Sequence, residues 1–357
     1  MKNHKNLELL FQYASEYQFE KFNTLFFETE KILSLEEFWE AYLMRAQIKL
    51  YASDLMVLED LEKAERVGKK PQFPFLCMKW RIDAPNRFII FSKKMDSLRK
   101  FLQSLPQIGE KLARWYGEDG NAIVRQMQCE IHYFTGEVNQ ALAFAESQNQ
   151  EKYENHTVAI LSSCTKFRCY LALRQPQKAE QSMLDGIRLS KTHPECVAAY
   201  QAFRAWANVT TSWNGDSPRF YDDPSGKKLP VLEDRLETIR SGSARTTLLE
   251  EPFVEYAEHT YENAYALRQY YMDLFHAMYW LSVGDHKQTE SYFLGIYDVA
   301  VASGVIMPLV ECGEQLIPLL KYVKSNNIAC SSEWIEDIMS RARQYEENLN
   351  LYRSLNV

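Results

Sequence analysis

The chain has 357 residues, of which 46% are hydrophobic and 25% charged, and its formal net charge is −7. This composition is ordinary for a soluble globular protein, and the acidic balance argues against direct binding of nucleic acid. Seven cysteines without a Cys-x-x-Cys pair argue against a disulfide-rich secreted domain and against a zinc ribbon. The sequence shows neither an apolar run of about 18 residues nor a signal-peptide core. We therefore expect a cytoplasmic protein without a membrane partner.

The first part of the chain shows the periodicity of amphipathic helices. It predicts two helices between residues 7 and 33 with a break near 16–19, a third helix over 35–51 and a fourth over 54–68. Ser34 followed by Glu37 has the spacing of a capping box for the third helix. Gly68, followed by two lysines, predicts the end of the fourth.

The rest of the chain is predicted to be helical on both sides of one irregular segment. Prolines loosen residues 69–87, and the apolar run 88–91 is interpreted as a helix start or a buried loop. The predicted helices cover 92–116, 123–135, 137–148, 156–173, 177–191, 194–207, 253–283 (with a break near 261), 286–303, 307–325 and 332–352, with a turn at 115–121. Residues 208–250 are predicted to be an irregular insertion that is functional or mobile, with one short helix at 232–241.

One turn phrase recurs three times. Gly136, Arg174 and Gly284 each end an apolar helix, and a small residue follows five positions later: Ala141, Ala179 and Thr289. This is the skeleton of tetratricopeptide-like repeats, with units near 37 residues instead of 34. The phrase predicts an all-α fold, a TPR-like right-handed helical solenoid of antiparallel helix pairs. Its arrays would span residues 1–207 and 251–357, on either side of the insertion at 208–250, in one continuous solenoid.

Several segments carry a resemblance to a known family. They are RAQIKL (45–50), LEKAE (61–65), GKK (68–70), APN (84–86), FSK (91–93), SL (97–98), the turn at 117–120, QCEIHYFTGE (128–137), VECGEQLIPLL (310–320), WI (334–335) and ARQY (342–345). This pattern resembles the helical-repeat region of LuxR-type transcriptional regulators related to the maltose-regulon activator. The resemblance implies that the repeats receive an inducer or a partner protein and relay occupancy to attached domains.

The domains that flank the repeats in that family are not expected here. Those regulators carry an ATP-binding domain before the repeats and a helix-turn-helix DNA-binding domain after them. The chain has no Gly-x-x-x-x-Gly-Lys-Ser/Thr loop to cradle phosphates, and no DNA-reading module is predicted before Val357. We therefore expect the repeat region alone, without ATP hydrolysis and without direct nucleic-acid binding.

Candidate catalytic and metal-binding residues favour ordinary structural roles. Glu255 and His259 are spaced to share a helix face, but no further metal ligand follows at a matching spacing. His276 is interpreted as a core or groove histidine. Adjacent acids point apart on a helix, no Gly-x-Ser-x-Gly motif occurs, and the serines before Cys164 lie in mid-helix. We expect no enzyme activity, no cofactor and no metal site.

An aromatic group in the segment 256–280 could instead line a ligand groove. Phenol hydroxyls there would orient a peptide or a small apolar ligand, although packing between helices is the favoured alternative. Two tryptophans that flank the start of the insertion could close over such a groove. The candidate groove residues are Trp206, Trp213, Tyr256, His259, Tyr261 and Tyr265. A run of basic residues between 93 and 114 is interpreted as a solvated helix face.

The expected function is therefore binding. We expect a non-enzymatic helical-repeat module that takes a protein, a peptide or a small-molecule inducer and responds by a population shift between solenoid shapes. The first alternative is a stand-alone scaffold that holds another protein and binds no small ligand. The second is an accessory role beside an enzyme. The oligomeric state is left open.

Overall fold

The computed structural model describes residues 2–15, 18–66, 71–75, 95–148, 156–193, 196, 220–222, 228–230 and 266–355. Within these ranges the backbone is almost entirely helical, which confirms the all-α prediction. The exception is an antiparallel pair of short strands, β1 (Phe220–Asp222) and β2 (Lys228–Pro230), in which Phe220 faces Pro230. This pair lies in the segment predicted to be irregular. The predicted helix at 232–241 and the apolar run 88–91 lie outside the described residues.

The amino-terminal helices follow the predicted order. They are α1 (Lys2–Ser15), α2 (Phe19–Thr29), α3 (Leu35–Tyr51) and α4 (Val57–Lys63), which is continued by a 3-10 turn at Ala64–Arg66. The capping box is confirmed: the Ser34 hydroxyl accepts from the Glu37 N–H, and the Ser34 N–H donates to Glu37 Oε2 over 2.9 Å. The fourth helix is shorter than predicted, because residues 54–56 form the turn that leads into it.

The central helices are α5 (Leu98–Phe134), α6 (Val138–Glu146), α7 (His156–Ala172) and α8 (Pro176–Thr192). The turn predicted at 115–121 is present as a kink inside α5. It is centred on Gly117, whose φ of 55° and ψ of −135° interrupt the helical backbone. Glycine adopts this region without the steric cost that a Cβ imposes.

The carboxy-terminal helices are α9 (Ala266–Val283), α10 (His286–Ser303), α11 (Met307–Val310), a 3-10 helix at Gly313–Leu316, α12 (Ile317–Ser325) and α13 (Ser332–Leu355). The single helix predicted over 307–325 was wrong. Gly313, with a φ of 57°, interrupts it beside the Glu346 side chain. The apolar spacing continues across the break, so periodicity alone could not reveal it.

The three predicted turns share one backbone geometry. At Gly136 (φ 78°) the N–H donates to the Tyr133 carbonyl, and the next N–H, of Glu137, donates back to His132. Two such bonds around a residue of positive φ form a Schellman motif, which satisfies the last carbonyls of a helix. Arg174 and Gly284 have the same pair of bonds. Two further copies stand at Ser53 and Asn327, which the sequence phrase did not include. Leu58 stands five positions after Ser53, and Ser332, five positions after Asn327, is exposed.

The small residue after each predicted turn has the role expected of it. Ala141, Ala179 and Thr289 are fully buried, and they lie on helices that pack directly against the preceding helix of the chain. A larger side chain would separate the two helices, because protein interiors are close-packed.

The last helices pack back onto the central ones. Asn348 on α13 donates to the carbonyl of Ala172 over 2.9 Å, and the Tyr352 hydroxyl, also on α13, donates to Glu180 on α8. The Ile306 N–H donates to the carbonyl of Phe134 over 2.8 Å. One buried hydrophobic cluster accordingly includes residues from both predicted arrays.

The turn geometry predicts opposite effects for two substitutions. Arg174 is exposed and holds a φ of 58°, which costs a non-glycine residue about 1–2 kcal/mol. Arg174→Gly should therefore raise the free energy of unfolding by about 1 kcal/mol. Gly284→Ala is the matched control, since its Cβ would meet open space, and it should lower stability by a similar amount.

Gly136→Ala should lower stability more than Gly284→Ala. Its Cβ would lie 2.7 Å from Ile306 Cδ1, so steric overlap adds to the backbone cost. Urea denaturation followed by circular dichroism measures all three variants. Equal losses at Gly136 and Gly284 would show that the contact with Ile306 contributes nothing.

Candidate functional site

The predicted aromatic groove lies outside the described residues. This holds for all six candidates: Trp206, Trp213, Tyr256, His259, Tyr261 and Tyr265. The neighbouring aromatic residues on α9 are described, and two of them belong to the core. The buried Tyr270 hydroxyl donates to the carbonyl of Val305 over 3.2 Å, and the Tyr271 hydroxyl donates to Glu311 over 3.2 Å. For these two tyrosines the packing alternative is therefore the correct one.

The other members of that aromatic group are partly exposed. Tyr279 and Trp280 are half-buried and meet edge to face, with ring centroids 5.2 Å apart. His276 is also half-buried, and its ring centroid lies 4.8 Å from that of Tyr292 on α10. His276 therefore packs between helices, as the sequence suggested.

A buried ion pair stands at the junction of the central and carboxy-terminal helices. The side chains of Arg168 on α7 and Glu311, just after α11, are 2% and 1% exposed, and Arg168 Nε lies 3.6 Å from Glu311 Oε1. Tyr133 on α5 donates to Oε1 over 2.6 Å, and Tyr271 on α9 donates to Oε2 over 3.2 Å. Both carboxylate oxygens are thus satisfied by groups from three different helices.

The protonation states follow from this arrangement. Burial alone would lower the pKa of Arg168, but the negative charge of Glu311 raises it overall. Burial and the same carboxylate raise the pKa of Tyr133 well above its usual value. The guanidinium is therefore charged and the phenol remains a neutral donor. All of these groups are turned toward one another, so the cluster holds helices together.

An open groove lies on the amino-terminal helices. Its volume is about 470 Å³, and it is lined by Phe38 and Trp39 of α3, Glu59, Glu62 and Lys63 of α4, and Arg66 of the 3-10 turn. Aromatic side chains together with a few convergent polar groups are typical of surfaces that receive a ligand or a partner side chain.

A second buried ion pair sets the width of this groove. Arg45 on α3 binds Asp60 on α4 through two hydrogen bonds of 2.8 and 2.7 Å, and Lys49 lies 2.9 Å from the same carboxylate. The Asp60 side chain is only 1% exposed. The Arg45 guanidinium also lies 4.2 Å from the ring centroid of Phe26 on α2. One arginine therefore ties α2, α3 and α4 together.

The floor of the groove continues into this cluster through Tyr42. The Tyr42 hydroxyl donates to Glu30 Oε1 over 2.8 Å, and its ring lies 4.6 Å from that of Phe38. Burial and the Glu30 carboxylate raise the pKa of Tyr42 to about 12, so the phenol is a neutral donor at physiological pH. The Phe38 ring in the groove therefore packs directly on the buried ring of Tyr42.

The exposed elements of the groove have few partners. Within the described residues, the half-buried Trp39 makes no ring contact and no hydrogen bond, and Glu59, Glu62 and Arg66 form no ion pair. Lys63 lies 4.9 Å above the Tyr42 ring. Sequence reasoning missed this site. The signal was an apolar stripe on α3 at helical spacing, from Leu35 to Tyr42, which was interpreted only as helix periodicity.

Other sequence candidates that lie within the described residues have structural roles. Lys111 lies 2.5 Å and Arg114 3.7 Å from Glu65, so these two basic residues are paired with an acid instead of forming a free patch. Ser162, Ser163 and Cys164 are buried inside α7. In the part of the chain that the structure describes, no group of three His, Cys, Asp or Glu side chains is placed to hold a metal ion.

No described helix has the length and apolar character needed to cross a membrane. No protein-family model matches the chain, and no curated protein matches it either.

We expect substitutions at Arg168 and Glu311 to be strongly coupled in their effects on the free energy of unfolding. Arg168→Met should lower the free energy of unfolding by about 3–5 kcal/mol, because it leaves the carboxylate buried without a counter-ion. The double variant Arg168→Met/Glu311→Leu should lose clearly less than the sum of the two single variants, since no buried charge remains. Urea denaturation of the four proteins gives the coupling energy. Additive losses would contradict the proposed pairing.

We expect the Glu40 carboxyl to make the free energy of unfolding depend on pH. This carboxylate on α3 is buried and accepts from the Gln72 N–H over 2.8 Å, and its pKa is raised by burial, against the lowering effect of that bond. A raised folded-state pKa means that the protonated form favours folding, and that stability is lost as pH rises through the raised value. Glu40→Gln keeps the acceptor and removes the charge.

Glu40→Gln should therefore be more stable than the natural chain at neutral pH. The difference should disappear as the pH falls toward 4.5, the ordinary value for this side chain. Thermal denaturation between pH 4 and pH 8 measures the difference. A gain that stays constant over the whole range would show that the charge of Glu40 is not its cause.

Proposed function

We propose that this chain is a non-enzymatic helical-repeat module that binds a protein or peptide partner. The observation that carries the proposal is the open groove on α3 and α4. The half-buried indole of Trp39 has no described partner in this groove. The charges on the rim of the groove, which are Glu59, Glu62, Lys63 and Arg66, form no described ion pair. Trp and Arg are the residues most often found at the energetic centres of protein interfaces.

The repeated turn supports a solenoid as the scaffold of this module. Five Schellman turns punctuate the described helices, and three of them precede a buried small residue. We propose a TPR-like right-handed solenoid of antiparallel helix pairs, in which each pair packs mainly on its neighbours. Such arrays present extended surfaces to partners, which agrees with a groove formed by neighbouring helices.

The placement of the buried charges favours binding over catalysis. The two most buried carboxylates described above, Glu311 and Asp60, each hold an arginine and tie helices together. A catalytic acid or base must exchange a proton with a substrate that can reach it, and neither of these groups faces the groove.

We propose a cytoplasmic location for the same module.

The resemblance to LuxR-type regulators supports a sensor that takes a small-molecule inducer, whereas the alternative is a scaffold that binds only protein. A thermal-shift screen of sugars and short peptides separates the two. A ligand present at about 100 times its dissociation constant should add about 2.7 kcal/mol of stability. A shift with a sugar supports the sensor. A lack of shift with sugars, together with a shift by peptides, supports the scaffold.

A selection experiment tests the groove itself. A displayed library of random peptides is selected on the immobilised chain, and the enriched peptides are then tested on two variants. Trp39→Ala should reduce their binding by about 30-fold. Trp280→Ala, which removes another half-buried indole from α9, is the matched control and should leave binding unchanged. Peptides that bind both variants equally would place the binding surface elsewhere.

A further inference from the structure

We infer that the groove on α3 and α4 receives an amphipathic helix of a partner protein, and that this helix carries a cation and an anion about one turn apart. The inference rests on the proposed binding function and specifies the chemistry of the partner. It is argued from the apolar stripe on α3, from the neighbouring exposed side chains, and from the order of charges along α4.

The apolar stripe at the start of α3 leaves apolar side chains exposed to water. Nearly every residue from Glu40 to Tyr51 is buried, so the later turns of α3 are enclosed on all sides. The first turns are not enclosed: Leu35 is 69% exposed, and Phe38 and Trp39 are half-buried. These three residues stand at i, i+3 and i+4, the spacing of a helix face that packs on another helix, and the buried Tyr42 continues the same row at i+7.

The apolar surface extends beyond one side chain. Phe27, which precedes α3 in the chain, is 63% exposed. The Arg45 guanidinium, which lies over the Tyr42 ring at 4.5 Å, is also 5.9 Å from the Phe27 ring and so connects it to the floor of the groove. A surface of this extent matches the apolar face of a helix better than a single anchoring side chain.

The charges on the rim are ordered along α4 and the 3-10 turn that continues it. Glu59 and Glu62 come first, and Lys63 and Arg66 follow. At 1.5 Å per residue the centres of the acidic and basic pairs lie about 6 Å apart along the helix, which is about one turn. A partner of a single sign would meet as much repulsion as attraction. A helix with a cation and an anion one turn apart satisfies both pairs.

Three synthetic helical peptides test the inference. They share one length and one apolar face of leucine and tryptophan, and they differ only in the residues beside that face, which are mixed Lys and Glu, all Lys, or all Glu. The mixed peptide should bind about tenfold more tightly than either of the others at low salt, since each exposed pair contributes up to about fivefold. The difference should shrink at high salt. Fluorescence anisotropy of labelled peptides measures the affinities.

Protein variants complete the design. Lys63→Glu/Arg66→Glu makes the rim uniformly acidic, so the all-Lys peptide should become the tightest binder. Trp39→Ala should weaken the mixed peptide by about 30-fold, and Trp280→Ala should not change it. Circular dichroism of each variant confirms that the helices are retained, and all substituted positions are at least partly exposed.

The outcomes separate this inference from the proposed function. Equal binding of the three peptides, an unchanged ranking on the acidic-rim variant, or no binding by any of them would overturn the helix partner. The binding function is decided by the library selection instead. Selected peptides that depend on Trp39 but contain prolines incompatible with a helix would retain the function and overturn the inference.

Discussion

The buried pair between Arg168 and Glu311 is the interaction on which the arrangement of the helices depends. Two charges removed from water cost several kcal/mol each, and the cost is offset only when every remaining polar group is satisfied. Tyr133 and Tyr271 satisfy the two oxygens of the Glu311 carboxylate from α5 and α9. The pair therefore forms only when α5, α7, α9 and the end of α11 meet in one geometry.

A second buried ion pair holds the amino-terminal helices together in the same way. Asp60 is almost fully buried and holds Arg45 and Lys49, while the Arg45 guanidinium rests on the rings of Phe26 and Tyr42. This cluster sets the distance between α3 and α4. The groove contacts this cluster through the rings of Phe38 and Tyr42, and its lining carries charges of both signs. A preorganised surface of this kind loses little freedom when a partner binds.

The proposed function rests on the buried ion pairs and on the groove together. Asp60 and Glu311 each hold an arginine and tie helices together. In the groove, Trp39, Glu59, Glu62 and Arg66 have no described partner. A module of stacked helix pairs would transmit occupancy of such a groove only through its packed interfaces. The Arg168–Glu311 pair stands at one of these interfaces. It ties the carboxy-terminal helices to the central ones.

Local signals in the sequence determined the helices, the capping box at Ser34 and the turns at Gly136, Arg174 and Gly284, because caps and left-handed turns depend on neighbouring residues alone. The same local reasoning missed the turns at Ser53 and Asn327 and the break at Gly313, across which the apolar periodicity continues. The partners of Arg168 and the exposure of Trp39 were decided only by tertiary structure. Burial and ion pairing depend on residues that are distant in the chain, and apolar periodicity does not reveal which part of a helix face is left open.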